Sequence, residues 1–196
     1  MYNNLIFLSN PVNGAQLLMQ LTLWTFSVNS IRDGYNAGIN NMEKVEINKQ
    51  ARLSEHFTLA EMCKTSAKKQ NVPNEAQVEN LKRLCGWLEE LRRRWNNLYG
   101  EGNDPIIINS GFRSPEVNKA VGGAAGSNHL TGGAADIRVY GMEQAIRYAC
   151  ILLDISDIEQ EDFDELLLER SPKGGYWLHF AVRPTGNRRK VRLIQT

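Results

Sequence analysis

Between Ser127 and Asp136 the chain reads Ser-Asn-His-Leu-Thr-Gly-Gly-Ala-Ala-Asp, which sets a histidine and an aspartate seven residues apart around two glycines and two alanines. Imidazole and carboxylate are both good zinc ligands, and small residues let the backbone pass close to whatever the two side chains hold. A catalytic zinc takes three protein groups and keeps one position for water, so a third ligand has to come from elsewhere. The chain has three histidines, His56, His129 and His179. His179, in the strand-like run Tyr176–Val182, is the candidate. His56 has no partner at metal spacing and reads as structural or exposed. For each histidine, a satisfied core or surface residue is the plain alternative.

A chain of 196 residues is long enough for one ordinary domain with a real hydrophobic core. Its 23 basic and 22 acidic residues nearly balance, which argues against a general nucleic-acid binder. Cys63, Cys85 and Cys150 are far apart, which excludes a C-x-x-C zinc site and does not suggest a disulfide scaffold. Free, mostly buried thiols are expected, compatible with a reducing compartment.

Residues 1–41 differ from the rest: their charged residues are Arg32 and Asp33 alone. The apolar-rich stretches Leu5–Leu8 and Ala15–Val28 are interrupted by polar residues and do not approach the ~20 apolar residues of a membrane span. No basic region precedes them, and no clear small-residue cleavage site follows, so a classical signal peptide is not expected. This low-charge extension reads in three ways: a short packed appendage, a divergent export or membrane-contact segment, or translated sequence upstream of the true start. Residues 42–196 are then the folded domain, and Met42 opens the strongly charged stretch Glu43–Arg52.

Within the domain, Thr58 and Glu61 have capping-box spacing. Val78, Leu81, Leu84, Cys85, Leu88, Leu91, Trp95 and Leu98 recur every three or four residues and predict a helix over Pro73–Tyr99, with Pro73 in the first turn and Gly100 at its end. Arg92, Arg93 and Arg94 fall in its last turns, as a solvated face or as a contact for an anionic cell-wall polymer. Ile106–Asn109 predicts a strand buried on both faces, and Ser114-Pro115-Glu116 opens a short helix to about Ala120. Arg113 sits at that strand-to-helix junction, where it can reach a cleft or form a structural salt bridge.

Val121–Gly126 lacks the Gly-Lys-Ser/Thr of a phosphate loop, so nucleotide binding is rejected. Alternation along Ala135–Val139 puts Asp136 and Arg138 on one face and Ile137 and Val139 on the other. Met142–Ile155 reads as a helix with Met142, Ala145, Ile146, Ala149, Leu152 and Leu153 inward, and Asp157–Asp162 as a solvated linker. Phe163–Glu169 and Tyr176–Val182 predict an antiparallel hairpin with Trp177, His179 and Ala181 on one face; Lys190–Ile194 is a candidate edge strand.

Ser127, His129, Gly132, Ala134 and Asp136 match, position for position, the S-x-H-x-x-G-x-A-x-D motif of the M15 zinc peptidases, which the chain resembles from about Leu53 to Val182. Ser110–Ser114, read S-G-F-R-S, resembles the family's arginine motif, and Trp177-Leu178-His179 its W-x-H strand. The resemblance implies an α+β fold, a small antiparallel sheet packed against helices, like the D-Ala-D-Ala peptidase or hedgehog-like zinc fold. It implies zinc on His129, Asp136 and His179, with Arg113 acting on a substrate carboxylate or a developing oxyanion and Ser127 donating to the substrate backbone. On residue chemistry alone Ser127 is equally a turn residue.

The implied chemistry needs a carboxylate to take the attacking water's proton and return it to the leaving amine. Many M15 relatives carry it three residues before the last ligand, where this chain has Tyr176. Glu169, at the end of the first hairpin strand, is the expected substitute, ahead of Asp164 and Glu165; as a surface carboxylate it would instead pair with Arg170 or Lys173.

The resemblance thus implies a monomeric zinc metallopeptidase acting on peptidoglycan stem peptides, either as a D-Ala-D-Ala carboxypeptidase or as an L-Ala-D-Glu endopeptidase. No nucleic acid and no stable membrane span are expected. Without a classical signal peptide, the enzyme would be a phage lytic protein held in the cytoplasm until lysis, or would reach the periplasm or exterior by a non-classical route. Rival readings are a zinc-containing cell-wall binding module without catalysis, which Tyr176 favours, and a zinc amidohydrolase cutting another bond.

Overall fold

The computed structural model describes residues 51–195, so the expectations for residues 1–41 and for the opening of the domain at Met42 lie outside the described residues. Among the described residues four α-helices, α1 (Leu59–Met62), α2 (Glu75–Leu98), α3 (Pro115–Ala120) and α4 (Met142–Glu159), accompany five strands, β1 (Ile108–Ser110), β2 (Ala134–Arg138), β3 (Glu165–Arg170), β4 (Tyr176–Ala181) and β5 (Lys190–Gln195). The strands form one sheet in the order β1-β2-β4-β3-β5. The first four are antiparallel neighbours, and β5 adds to β3 in parallel, so the sheet is mixed at one edge rather than wholly antiparallel. Among the described residues no helix is long and apolar enough to cross a membrane.

The long helix α2 begins two residues later than Pro73 suggests. Asn74 is its cap: the Asn74 side chain accepts from Gln77 N while the Gln77 side chain accepts from Asn74 N, a reciprocal capping box. Its buried stripe is Leu81, Leu84, Cys85, Leu88, Leu91 and Trp95, as the periodicity predicts, with Trp87 added and Leu98 left exposed. Trp87 turns inward because Phe163 and Phe180 receive it, with ring centroids 6.4 and 5.3 Å away. The arginine run is tied down within the protein: Arg93 and Arg94 both bond Glu90, and Arg92 reaches His56 and Asn103. His56 in turn lies 2.7 Å from Glu89, a structural partner.

Helix α4 runs one turn beyond Ile155 and absorbs Asp157 and Glu159 from the expected linker. Its buried face is Ala145, Tyr148, Ile151, Leu152 and Ile155, a stripe rotated from the expected one, and Ile146 is exposed. Tyr148 takes the inward position by packing edge-on against Trp95, centroids 4.8 Å apart. The rotation also leaves Cys150 exposed, so of the three free thiols Cys85 alone is fully buried. Helices α2 and α4 cover one face of the sheet, where Ile137, Leu166, Leu178 and Phe180 are buried; each such side chain contributes ~1.5–3 kcal/mol.

Strand β1 is shorter than expected. Ile108 pairs with Ile137 and Ser110 with Asp136, so a bulge at Asn109 breaks the regular pairing and leaves Asn109 exposed rather than buried. After it, Ser114 caps α3 through Val117 N, with Pro115 in the first turn.

Candidate metal centre

Strand register delivers two of the three expected ligands to the same spot. Asp136 on β2 lies directly opposite His179 on β4, and alternation sends both side chains to the face away from the helices. On that face β3 contributes Glu165, Leu167 and Glu169, with Leu167 opposite His179 and Glu169 opposite Trp177. Ile137, Leu178 and Leu166 fill the other face, so the ligand face and the core face are distinct, as the alternation predicts.

His129 arrives from outside the sheet, on a 3-10 turn, Asn128–Thr131, just before β2. Ser127 caps this turn, its hydroxyl accepting from His129 N at 3.3 Å. Gly132 ends it with φ +76°, and a Cβ there would lie 2.5 Å from Gln77 O, so both backbone shape and close packing require glycine. Gly133 is equally pressed, since a Cβ would meet Val182 O at 2.7 Å. The turn is stitched to its surroundings: Gln77 donates to Leu130 O, Asn80 to Thr131 O, Arg113 N to His129 O, and Val182 N to Gly133 O.

The ligand atoms of His129, Asp136 and His179 all lie within 4.8 Å of one another. His129 Nε2 is 3.2 Å and His179 Nδ1 2.9 Å from the same oxygen, Asp136 Oδ1. His129 Nδ1 is 2.6 Å from Gly111 O, and because a carbonyl only accepts, the ring proton sits on Nδ1 and Nε2 keeps its lone pair for the cluster. The other oxygen, Asp136 Oδ2, accepts from Arg113 at 2.5 Å, and Arg113 Nε donates to Ser110. Two imidazoles and a carboxylate converging from buried positions, with the first ring's tautomer already set, fit a divalent cation.

Charge follows this geometry. Burial alone would raise the Asp136 pKa, but the two histidines crowded against it, with His179 donating through Nδ1, outweigh burial and hold the carboxyl well below its usual range. Burial pushes His129 down, in keeping with a neutral ring. His179 is also buried, yet Asp136 on one side and Glu165 on the other raise it to about 9.

The two neighbouring glutamates behave in opposite ways. Glu165 is bonded by Lys190, 2.7 Å, and by Asn128, 3.1 Å, and its pKa is lowered, first by His179 and then by Lys190. Glu169 is half-buried, makes no side-chain hydrogen bond or ion pair among the described residues, and has its pKa raised by burial. Arg170 does not share its face: it pairs with Tyr176 on the helix side, its guanidinium 5.6 Å from the Tyr176 ring. Asp164 is fully buried and ion-paired with Arg183 and Arg188, away from the ligand cluster's chemistry. What sequence reasoning left out is the Asn128–Glu165–Lys190 group. The alternation that places Glu169 also places Glu165, but its partner on β5 depends on a parallel pairing that no local pattern announces.

A mixed α+β sheet carrying a buried His-Asp-His cluster defines a metal-binding hydrolase fold. Residues 55–163, more than half of the chain, match the family described as peptidase M15, and the chain belongs to that family. The triad within this fold supports a metallopeptidase function. One curated relative, a zinc D-Ala-D-Ala carboxypeptidase from Streptomyces albus G, is 53% identical over 36 residues, which cover 18% of this chain and 14% of the relative. His179 and Glu169 lie beyond the residues matched to the family, and the strand pairing brings them to the cluster.

Proposed function

We propose that the protein is a zinc peptidase that hydrolyses a peptide bond in bacterial peptidoglycan stem peptides, removing a terminal D-Ala or cutting between L-Ala and D-Glu. The observation that carries the reading is Glu169: an unpartnered, half-buried carboxylate on the ligand face, diagonal to His179. His129 through Nε2, Asp136 through Oδ1 and His179 through Nδ1 would hold the ion, which when bound would polarise the scissile carbonyl and acidify a water.

Glu169 takes the proton of the attacking water and returns it to the leaving amine. A raised pKa suits both halves of that task, since the group must gain the proton and then give it up. Glu165 is unsuited to it, because its oxygens are already engaged by Lys190, Arg188 and Asn128. Arg113 fixes the second oxygen of Asp136, and the rest of its fork serves a substrate carboxylate or the developing oxyanion. Ser127 accepts from His129 N and keeps its own proton to donate to the substrate backbone. A carboxylate lies near the cut bond in both D-Ala-D-Ala and D-Glu-containing stems, and the relative's name points to the first.

The test is mass spectrometry of purified peptidoglycan fragments incubated with zinc-loaded protein beside an EDTA-stripped control. Loss of a terminal D-Ala, or scission between L-Ala and D-Glu, seen only with zinc, is the expected result and names the bond. Bound zinc with no new product would instead indicate a cell-wall binding module.

A further inference from the structure

The two histidines of the cluster are braced differently on their far sides. His129 Nδ1 meets a backbone carbonyl, Gly111 O, at 2.6 Å. His179 turns Nδ1 to Asp136 and its other nitrogen, Nε2, toward Glu165 Oε2 at 3.7 Å. Glu165 does not reach there as a loose surface acid, for its side chain is only 14% exposed. Its Oε1 accepts from Lys190 Nζ at 2.7 Å and lies 3.0 Å from Arg188 Nη2, while its Oε2 accepts from Asn128 Nδ2 at 3.1 Å.

Asn128 ties this carboxylate to the other histidine's turn. It immediately precedes His129, and the same Nδ2 also reaches the fully buried Asp164 at 2.7 Å. One side of the cluster is therefore joined to the other through Asn128 and Glu165, with cations from the chain after β4 pressing on the carboxylate. Those cations hold Oε1, which leaves Oε2 turned toward His179.

We propose that Glu165 is a positioning residue for His179: it accepts the Nε2 proton in the metal-loaded protein, fixing the tautomer that aims Nδ1 at the ion, while Lys190, Arg188 and Asn128 hold it in place. The 3.7 Å separation is an ion-pair distance, and it closes to a hydrogen bond on loading. This rests on the reading that His129, Asp136 and His179 hold zinc.

Glu165→Gln keeps the size and removes the charge. In a competition titration with a chromophoric chelator, the variant's zinc Kd is expected to rise about 10- to 100-fold, and the visible bands of its cobalt form to move. Equal affinity with unchanged bands overturns the proposal. Since Glu165 also anchors Lys190, a second measurement uses the unsubstituted protein. Long-range proton–nitrogen NMR spectra of the zinc form are expected to show His179 protonated at Nε2, with that proton exchanging slowly. Protonation at Nδ1, or exchange as fast as in free imidazole, overturns it. Unsubstituted protein that binds no zinc overturns the metal-site reading together with this inference, whereas tight binding by both proteins removes the inference alone.

Discussion

The two faces of the sheet are made from the same strands and do opposite work. On the helix side, Ile137, Leu166, Leu178 and Phe180 are at most 1% exposed and belong to one hydrophobic core. On the ligand side, one residue along each strand, Asp136, His179 and Glu165 are packed nearly as deeply and Glu169 is half-buried, but as charged or polar groups. A polar face at that depth is costly unless each group is paired, and here all but Glu169 are. Stability and chemistry are thereby separated: the helix face carries the fold, and the ligand face is held by contacts that orient side chains.

Substitutions on each face test that division. His179→Ala should have the largest effect, abolishing metal-dependent hydrolysis and high-affinity metal binding while leaving the metal-free melting temperature within about 4 °C, as expected for a change near 1 kcal/mol. Unfolding of this variant, followed by circular dichroism, would erase the distinction between the faces. Glu169→Gln should lower kcat by about 10²- to 10⁴-fold with metal content unchanged by elemental analysis, and with no loss of stability because no hydrogen bond is removed. A comparable loss of stability would show Glu169 to be structural.

Phe180→Ala, on the helix face beside Trp87 and Phe163, should cost ~3–5 kcal/mol in denaturant unfolding, while the fraction that remains folded binds metal normally. The smallest effect belongs to neither face. Glu90 on α2 bonds Arg93 and Arg94, and the Arg93 bond first, against some burial, lowers its pKa from 4.5 to about 2. A depressed carboxylate stabilises the folded state above its unfolded pKa and loses that contribution as pH falls through the folded value. Glu90→Gln should therefore cost about 0.5–1 kcal/mol at pH 7, discounted for the exposed Arg93 partner, with the gap closing as urea unfolding is repeated between pH 4.5 and about 2.

What could be read beforehand divides along similar lines. Alternation over Ala135–Val139 and Tyr176–Val182 placed Asp136 and His179 on the polar face, because strand period leaves two choices and one of them was apolar. Helix period is less decisive. The α4 stripe was rotated because the aromatic Tyr148 was claimed by Trp95 in another helix, and Trp87 was drawn in by Phe163 and Phe180 from the sheet. Both depend on partners distant in sequence. The bulge at Asn109 and the parallel docking of β5 are likewise set by pairing rather than by local pattern. Glu169 was legible as a candidate, and the pairing of Leu167 with His179 explains its nearness to the cluster.

Gly133 and Val182 share a backbone hydrogen bond of 2.8 Å that extends the β2–β4 ladder up to the turn bearing His129. The turn and the strand holding His179 are therefore parts of one zipper. The entropy of gathering three side chains from residues 129, 136 and 179 is lost when the chain folds, not when an ion arrives. That leaves more of the coordination energy to appear as affinity.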